Sequence, residues 1–265
     1  FAWDARTGEP LANAITWQDL RTIPLEDALG AWPHAAECRY RLGYWPGPWS
    51  GALHLKWRME NDPVVRDAAR AGTLRIGPSA SWVLAALGGD PASRADVSLA
   101  QSINLWDFRA RDWWDEWLAY LGVPRAALPA VSPTVADFGS LDLGGIRVPV
   151  RAMIADQQGA LFGYDCRAAG DAEATHGTAS FVNVCLGDAA PGLDTIKVYL
   201  AWLLEDQPTY CLEADTTVTG AAVRWLREGA GIISRDEELG ELAESVPDAA
   251  GLVFVPAFTG LNVPY

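Results

Sequence analysis

Apolar positions along the chain change spacing repeatedly, from continuous β-branched runs to the three-and-four spacing of helices. Residues 1–4 and 11–17 read as strands joined by the turn Thr7-Gly8-Glu9-Pro10, which predicts a β-hairpin. Residues 24–42 read as a helix interrupted at Pro33, and 43–51 as a Pro- and Gly-rich loop. Residues 53–71 give two helices broken at Asn61-Asp62-Pro63, 72–78 a short strand or turn, and 79–87 a helix capped by Gly88-Gly89. An extended connection is expected over 97–104 and a helix with an aromatic face over 105–122. Prolines 124, 129 and 133 mark a surface linker. Ile146 to Ala155 is apolar enough for a buried strand and leads into a short helix over 157–163. Strands over 173–176 and 180–186 flank Gly177-Thr178-Ala179 as a second hairpin. Two more are expected over 192–201 and 207–214. A helix opens at Gly220 and runs to about Gly229, and an acidic helix covers 236–244. A strand over 252–255 and a loop over 256–264 close the chain. This alternation supports a mixed α/β class.

Asp156 stands at the junction between the expected strand and helix. A carboxylate there can accept backbone N–H bonds from the first turn, and the helix dipole favours its charge. The carboxyl end of a strand is also where open α/β sheets place ligands. Helix cap and catalytic base therefore both stand as readings of this residue. Gln157 and Gln158 add donors and acceptors that a hydroxylated ligand could use.

Composition narrows the function classes. The 265 residues suffice for one large or two modest domains. The net charge of −14 repels phosphate backbones, so nucleic acid is not an expected partner. Any nucleotide phosphates must then be held by local donors and a divalent cation. No apolar run reaches the ~20 residues of a membrane span, and no membrane partner is expected. Cys38, Cys166, Cys185 and Cys211 lie far apart, as do His34, His54 and His176, which argues against zinc. Cys166, Cys185 and Cys211 read as reduced core residues of a cytoplasmic protein. The chain begins without Met and ends directly after a strand-like block, so it is expected to be cut at both ends.

Four blocks then carry a family resemblance. Ala155-Asp-Gln-Gln-Gly-Ala-Leu-Phe-Gly163 resembles a signature of the glycerol kinase branch of the FGGY carbohydrate kinases. Asn13-Ala-Ile-Thr-Trp17-Gln-Asp-Leu-Arg21-Thr, Thr219-Gly220-Ala-Ala-Val-Arg-Trp-Leu-Arg227 and Val255-Pro-Ala-Phe-Thr-Gly-Leu-Asn-Val-Pro-Tyr265 resemble further blocks, in the family's order.

The resemblance implies an α/β, actin-like, ribonuclease H-like two-domain ATPase fold, truncated at both ends. Residues 1–167 would be the substrate-side domain and 168–265 the start of the nucleotide-side domain. It implies ATP-dependent phosphoryl transfer to a small polyol or sugar, with Asp156 as general base and as an indirect Mg²⁺ ligand through water. Trp17, Trp49, Asp156, Gln157 and Phe181 would line the substrate site. Trp49 stands where the family has a Tyr, an indole that donates but cannot accept. Trp17 and Phe181 can equally be core aromatics, and Tyr44 or Trp45 could be the pocket residue in place of Trp49. Thr178, Gly220 and Arg224 would contact the nucleotide. Ala179 replaces a family Gly, so the turn must avoid positive φ there or carry strain. Three family motifs are absent from the chain, so the 265 residues alone are expected to lack activity. A second hypothesis is a non-catalytic polyol-sensing module that has lost nucleotide chemistry, favoured by Ala179 and Arg224. Association into a homo-oligomer stays open.

Overall fold

Two apolar runs far apart in the chain find each other first. The Ala2–Asp4 strand pairs antiparallel with the Leu74–Ile76 strand and also bridges back from Trp3 to Pro10, so the expected hairpin over 1–17 forms only at its turn end. Gly8 N–H donates to Asp4 O, Asp4 N–H to Glu9 O, and Leu11 N–H to Ala2 O. Residues 13–17 then leave the sheet, and Trp17 is 54% exposed. The computed structural model describes residues 1–88, 92–192 and 196–258. Gly89 of the expected helix cap, residues 193–195 of the expected 192–201 strand, and 259–264 of the expected final loop lie outside them.

Helices Gly51–Asn61 and Pro63–Arg70 pack on this pair of strands. Ser50 Oγ accepts from Leu53 N–H at the start of the first. Asp62 caps the second through Val64 and Val65 N–H, and Pro63 presets its first turn. The break read at Asn61-Asp62-Pro63 is thus a cap. The 24–42 stretch breaks earlier than Pro33. It gives Ile23–Leu29, then a 3₁₀ turn Ala35–Glu37 and a short helix Cys38–Leu42.

Three other expectations change. Val97–Ser102 is helical, because Asp96 accepts from Leu99 N–H and starts a turn. Within 105–122 only Asp115–Leu121 is helical; Trp106–Asp107 and Asp112–Trp113 pair as a small hairpin before it. The Pro-marked linker carries a strand, Ala130–Ser132, parallel to Arg94–Asp96, with Ala127 and Leu128 buried.

The run 146–155 is not a buried strand. Arg147–Pro149 pairs with Ser140–Asp142, and Ala152 bridges Val135 further on, but Arg147–Pro149 is exposed, as is Ile146. The apolar residues that do bury here are Met153 and Ala155, in extended chain just before the Asp156 helix. Leu252–Val255 is exposed chain outside any strand.

The largest sheet is antiparallel. Its strand order is Lys197–Leu204, Gln207–Thr216, Ser180–Gly187, Ala172–His176. The outer strand Lys197–Leu204 is buried almost throughout because the Val97–Ser102 helix covers it. Gln101 sews the two together, donating to Val198 O and accepting from Leu200 N–H. Gly43 lies beside the same strand, at φ +89, and an added Cβ would sit on Val198 O; glycine is required there. One apolar cluster joins Leu84, Phe138 and Ala155 to Leu200 and Tyr210, and another joins Tyr44 and Leu161 to Cys185, Tyr199 and Cys211.

Candidate active site

Asp156 is the first residue of an eight-residue helix, Asp156–Gly163; its cap position is Ala155. Gln157 N–H donates to Asp156 Oδ1, at 2.9 Å. The carboxylate is exposed. The chain entering the helix is fixed from below. Ala155 N–H donates to Ser98 Oγ at 2.8 Å, and the Ser98 hydroxyl donates to Asp96 Oδ1. Asp96 also receives Thr134 Oγ1, and Leu203 N–H donates to Thr134 Oγ1. This network is fully buried and has no cation in it, so burial pushes Asp96 above the ordinary carboxylate range.

The helix rests on one face of the large sheet, and register decides what meets it. Directly opposed residues share a face. Glu173, Asn183, Glu213 and Lys197 form one cross-strand row, all buried. Phe181 and Asp215 form the next row, nearer the turn. Lys197 Nζ lies 2.5 Å from Asp215 Oδ1 and 3.5 Å from Glu213 Oε1. Asn183 Nδ2 donates to Glu173 Oε1. Burial raises the Glu213 carboxyl to about 7, against the opposing pull of Lys197; the negative charges of Asp215 and Asp156 push it the same way as burial. Asp156 is thus within electrostatic reach of this row.

Trp49 joins from above. Its ring centroid is 5.0 Å from Lys197 Nζ and 5.7 Å from the Tyr44 ring, which stacks on it at 23°. The structure therefore gathers Asp156, Gln157, Phe181 and Trp49 around one sheet face. Gln157 Oε1 is buried with no hydrogen-bond partner among the described residues, an unpartnered acceptor on the residue after Asp156. Gln158 turns inward and is buried, against the Cys211 thiol. Trp17 has no ring contact with Trp49 or Phe181 among the described residues. Its loop is nevertheless tied to the Trp49 stretch and the helix that follows it: Thr22 Oγ1 donates to Pro48 O at 2.5 Å, and His54 Nε2 bonds Asp19 O. Asp19 and Arg21 form the local ion pair that their spacing allowed.

At the other end of this face, the turn Gly177–Ala179 is clamped to the helix Gly220–Arg224. Gly220 N–H donates to Gly177 O, and Thr219 and Ala221 N–H both donate to Thr178 O. A Cβ on Gly220 would stand 2.5 Å from Gly177 O, so only glycine allows this approach. Ala179 has no positive φ, and the turn accommodates it without that strain. Thr178 and Arg224 are exposed. Ser180 Oγ donates to Thr219 Oγ1, and His176 Nδ1 bonds Ser180 Oγ, both at 2.8 Å.

Lys197, Glu213, Asp215 and the Asp96–Ser98 pair went unread in the sequence. Their signals were present: one of only two lysines inside a strand-like run, and two acids at i, i+2 in an apolar strand. No cluster of three His, Cys, Asp or Glu suited to a metal occurs among the described residues. A single exposed carboxylate with one oxygen open suits a hard cation held through water.

Residues 1–163 match the family model described as "FGGY family of carbohydrate kinases, N-terminal domain". The chain belongs to the FGGY family of carbohydrate kinases. It is 37% identical over 263 residues to glycerol kinase 2 of Sulfolobus acidocaldarius, covering 99% of this chain and 53% of that protein. Glycerol kinase of Acidovorax ebreus is 39% identical over 270 residues, with the same shares. The crystal structure of Plasmodium falciparum glycerol kinase with ADP superposes with a TM-score of 0.89 at 26% identity, over 99% of this chain and 53% of that one. Xylulose kinase of Rhodospirillum rubrum shares the fold, with a TM-score of 0.80 at 22% identity, over 98% and 54%. The α/β fold expected of an FGGY kinase chain is thereby established, and the chain spans about half the length of the relatives it matches.

Proposed function

We propose that the full-length protein transfers the terminal phosphoryl group of ATP to a hydroxyl of a small polyol, in the manner of glycerol kinase. The observation that carries this is an exposed carboxylate, Asp156, above a sheet face that also presents Phe181 and Trp49. Phosphoryl transfer to an alcohol requires a base at the hydroxyl and donors around the phosphates. Asp156 accepts the hydroxyl proton as the oxygen attacks phosphorus and ADP departs. Gln157, with its open Oε1, accepts a hydrogen bond from a neighbouring hydroxyl. Trp17, Trp49 and Phe181 cover the carbons. Thr178, Gly220 and Arg224 hold the nucleotide side, where the clamped turn offers a hydroxyl and backbone amides. Asp156 would hold Mg²⁺ through water, and the ion would neutralise phosphate charge. The division between substrate and nucleotide sides falls near residue 167, after the Asp156 helix ends at Gly163. Because the chain spans about half the relatives' length, turnover belongs to the full-length protein, and the 265 residues alone are inactive.

Asp156→Asn in the full-length protein tests the assignment. It is expected to lower kcat by about a thousandfold, within the usual span for a general base, while polyol binding persists. Near-normal turnover would remove Asp156 from the role. Calorimetric titration with nucleotide separates a kinase from a polyol-sensing module, which would bind none.

A further inference from the structure

Lys197 is 8% exposed, and a buried ammonium is costly unless paired. Asp215 and Glu213 supply that pairing, but do not explain why a cation occupies this strand position at all. The third neighbour does. The ammonium lies 5.0 Å from the centre of the Trp49 indole, within the range of a cation–π contact. Trp49 belongs to the stretch 43–50, which has no helix or strand of its own to aim the ring. The ring is held by what touches it. Tyr44 stacks on it, and the Tyr44 hydroxyl is pinned to the carbonyls of Gln101 and Ser102. Gly47 leaves room for it, since a Cβ there would stand 2.5 Å from Trp49 Nε1. Of these supports Lys197 alone carries charge, and it alone also touches the carboxylate row within reach of Asp156.

We propose that Lys197 is a positioning residue that determines acceptor specificity: its ammonium, anchored by Asp215 and Glu213, fixes the Trp49 indole against the carbon face of the bound polyol. The polyol part of this rests on the function proposed above; the coupling of Lys197 to Trp49 does not. Lys197 is not expected to touch the reacting atoms, so its loss should act on acceptor affinity and leave chemistry and nucleotide binding in place.

The test uses the full-length protein with glycerol as the acceptor. Lys197→Met combined with Asp215→Asn removes the cation without stranding its closest counter-ion. It is expected to raise the glycerol KM by about tenfold, with kcat and the ATP KM each changed by less than about twofold. Lys197→Arg keeps a cation over the ring and is expected to hold the glycerol KM within about threefold of normal. If the double variant does not fold, Lys197→Gln carries the same expectation. The Trp49 indole N–H resonance, assigned through Trp49→Phe, gives a readout that needs no turnover, and should shift in the uncharged variants. A folded uncharged variant with an unchanged glycerol KM would overturn the specificity role, as would equal losses for glycerol and ATP. An unmoved indole signal would overturn the coupling. If the unmodified protein phosphorylates no polyol yet the indole responds, the functional reading fails and the coupling stands.

Discussion

Below Asp156, the sheet face holds buried charge paired by side chains: Lys197 with Asp215 and Glu213, and Asn183 with Glu173. At the Gly177–Ala179 turn, where the edge strand Ala172–His176 passes into Ser180–Gly187, Thr178 is exposed and backbone bonds to the Gly220 helix do the holding. The first arrangement ties geometry to ionisation, because charge in a dry site is expensive. The second ties geometry to sterics, because a backbone-to-backbone approach tolerates no Cβ. One protein thus fixes its proposed acceptor side electrostatically and its proposed phosphate side by close backbone contact. Each should break under a different perturbation.

The largest stability effect is expected from pH acting on the first region. Glu213 has an ordinary value near 4.5 and is raised to about 7 in the fold. The fold therefore prefers its protonated form. The corresponding stabilisation is complete below about pH 4.5 and is lost as pH rises through about 7. At about 1.4 kcal/mol per tenfold, the swing is on the order of 3 kcal/mol. Glu213→Gln, a neutral mimic, should flatten this part of the profile in urea unfolding between pH 5 and 8. Parallel profiles for the two proteins would show that Glu213 ionises normally and that the row is not electrostatically organised.

The second region should be sensitive to one methyl group. Gly220→Ala places Cβ 2.5 Å from Gly177 O. The clamp must open, at a cost of about 2 kcal/mol, within the span for overpacking. The ATP KM is expected to rise in the full-length protein while the glycerol KM holds. A rise in both would mean that the two regions are mechanically one, and the comparison would fail.

Local chemistry was legible in the sequence and long-range register was not. The Asp62-Pro63 break, the turn at Gly8, the Gly177–Ala179 hairpin and the helix start at Asp156 are each specified within a few residues by caps, Pro and Gly. The Ala2–Asp4 strand also takes a second partner some seventy residues away, which no turn signal announces. The helix over 97–102 depends on Asp96, whose capping role is disguised by an apolar neighbourhood. The run 146–155 failed as a buried strand because apolar residues were counted without asking which face they share; Ile146 and Val148 face solvent. For the candidate site, the strand–helix junction pointed to Asp156 and Gln157, and the family resemblance added Trp49 and Phe181. Lys197, Glu213 and Asp215 become a unit only once two strands are laid in register.

The central claim is that Asp156 receives the proton of a bound alcohol, beside Trp49 and Phe181. A crystal structure of the full-length protein with glycerol tests it most directly. A glycerol hydroxyl should lie about 2.6–3.2 Å from an Asp156 carboxylate oxygen, hydrogen-bond distance for a base, with the carbons against the two rings. Glycerol bound away from Asp156, with that carboxylate facing only solvent, would contradict the account.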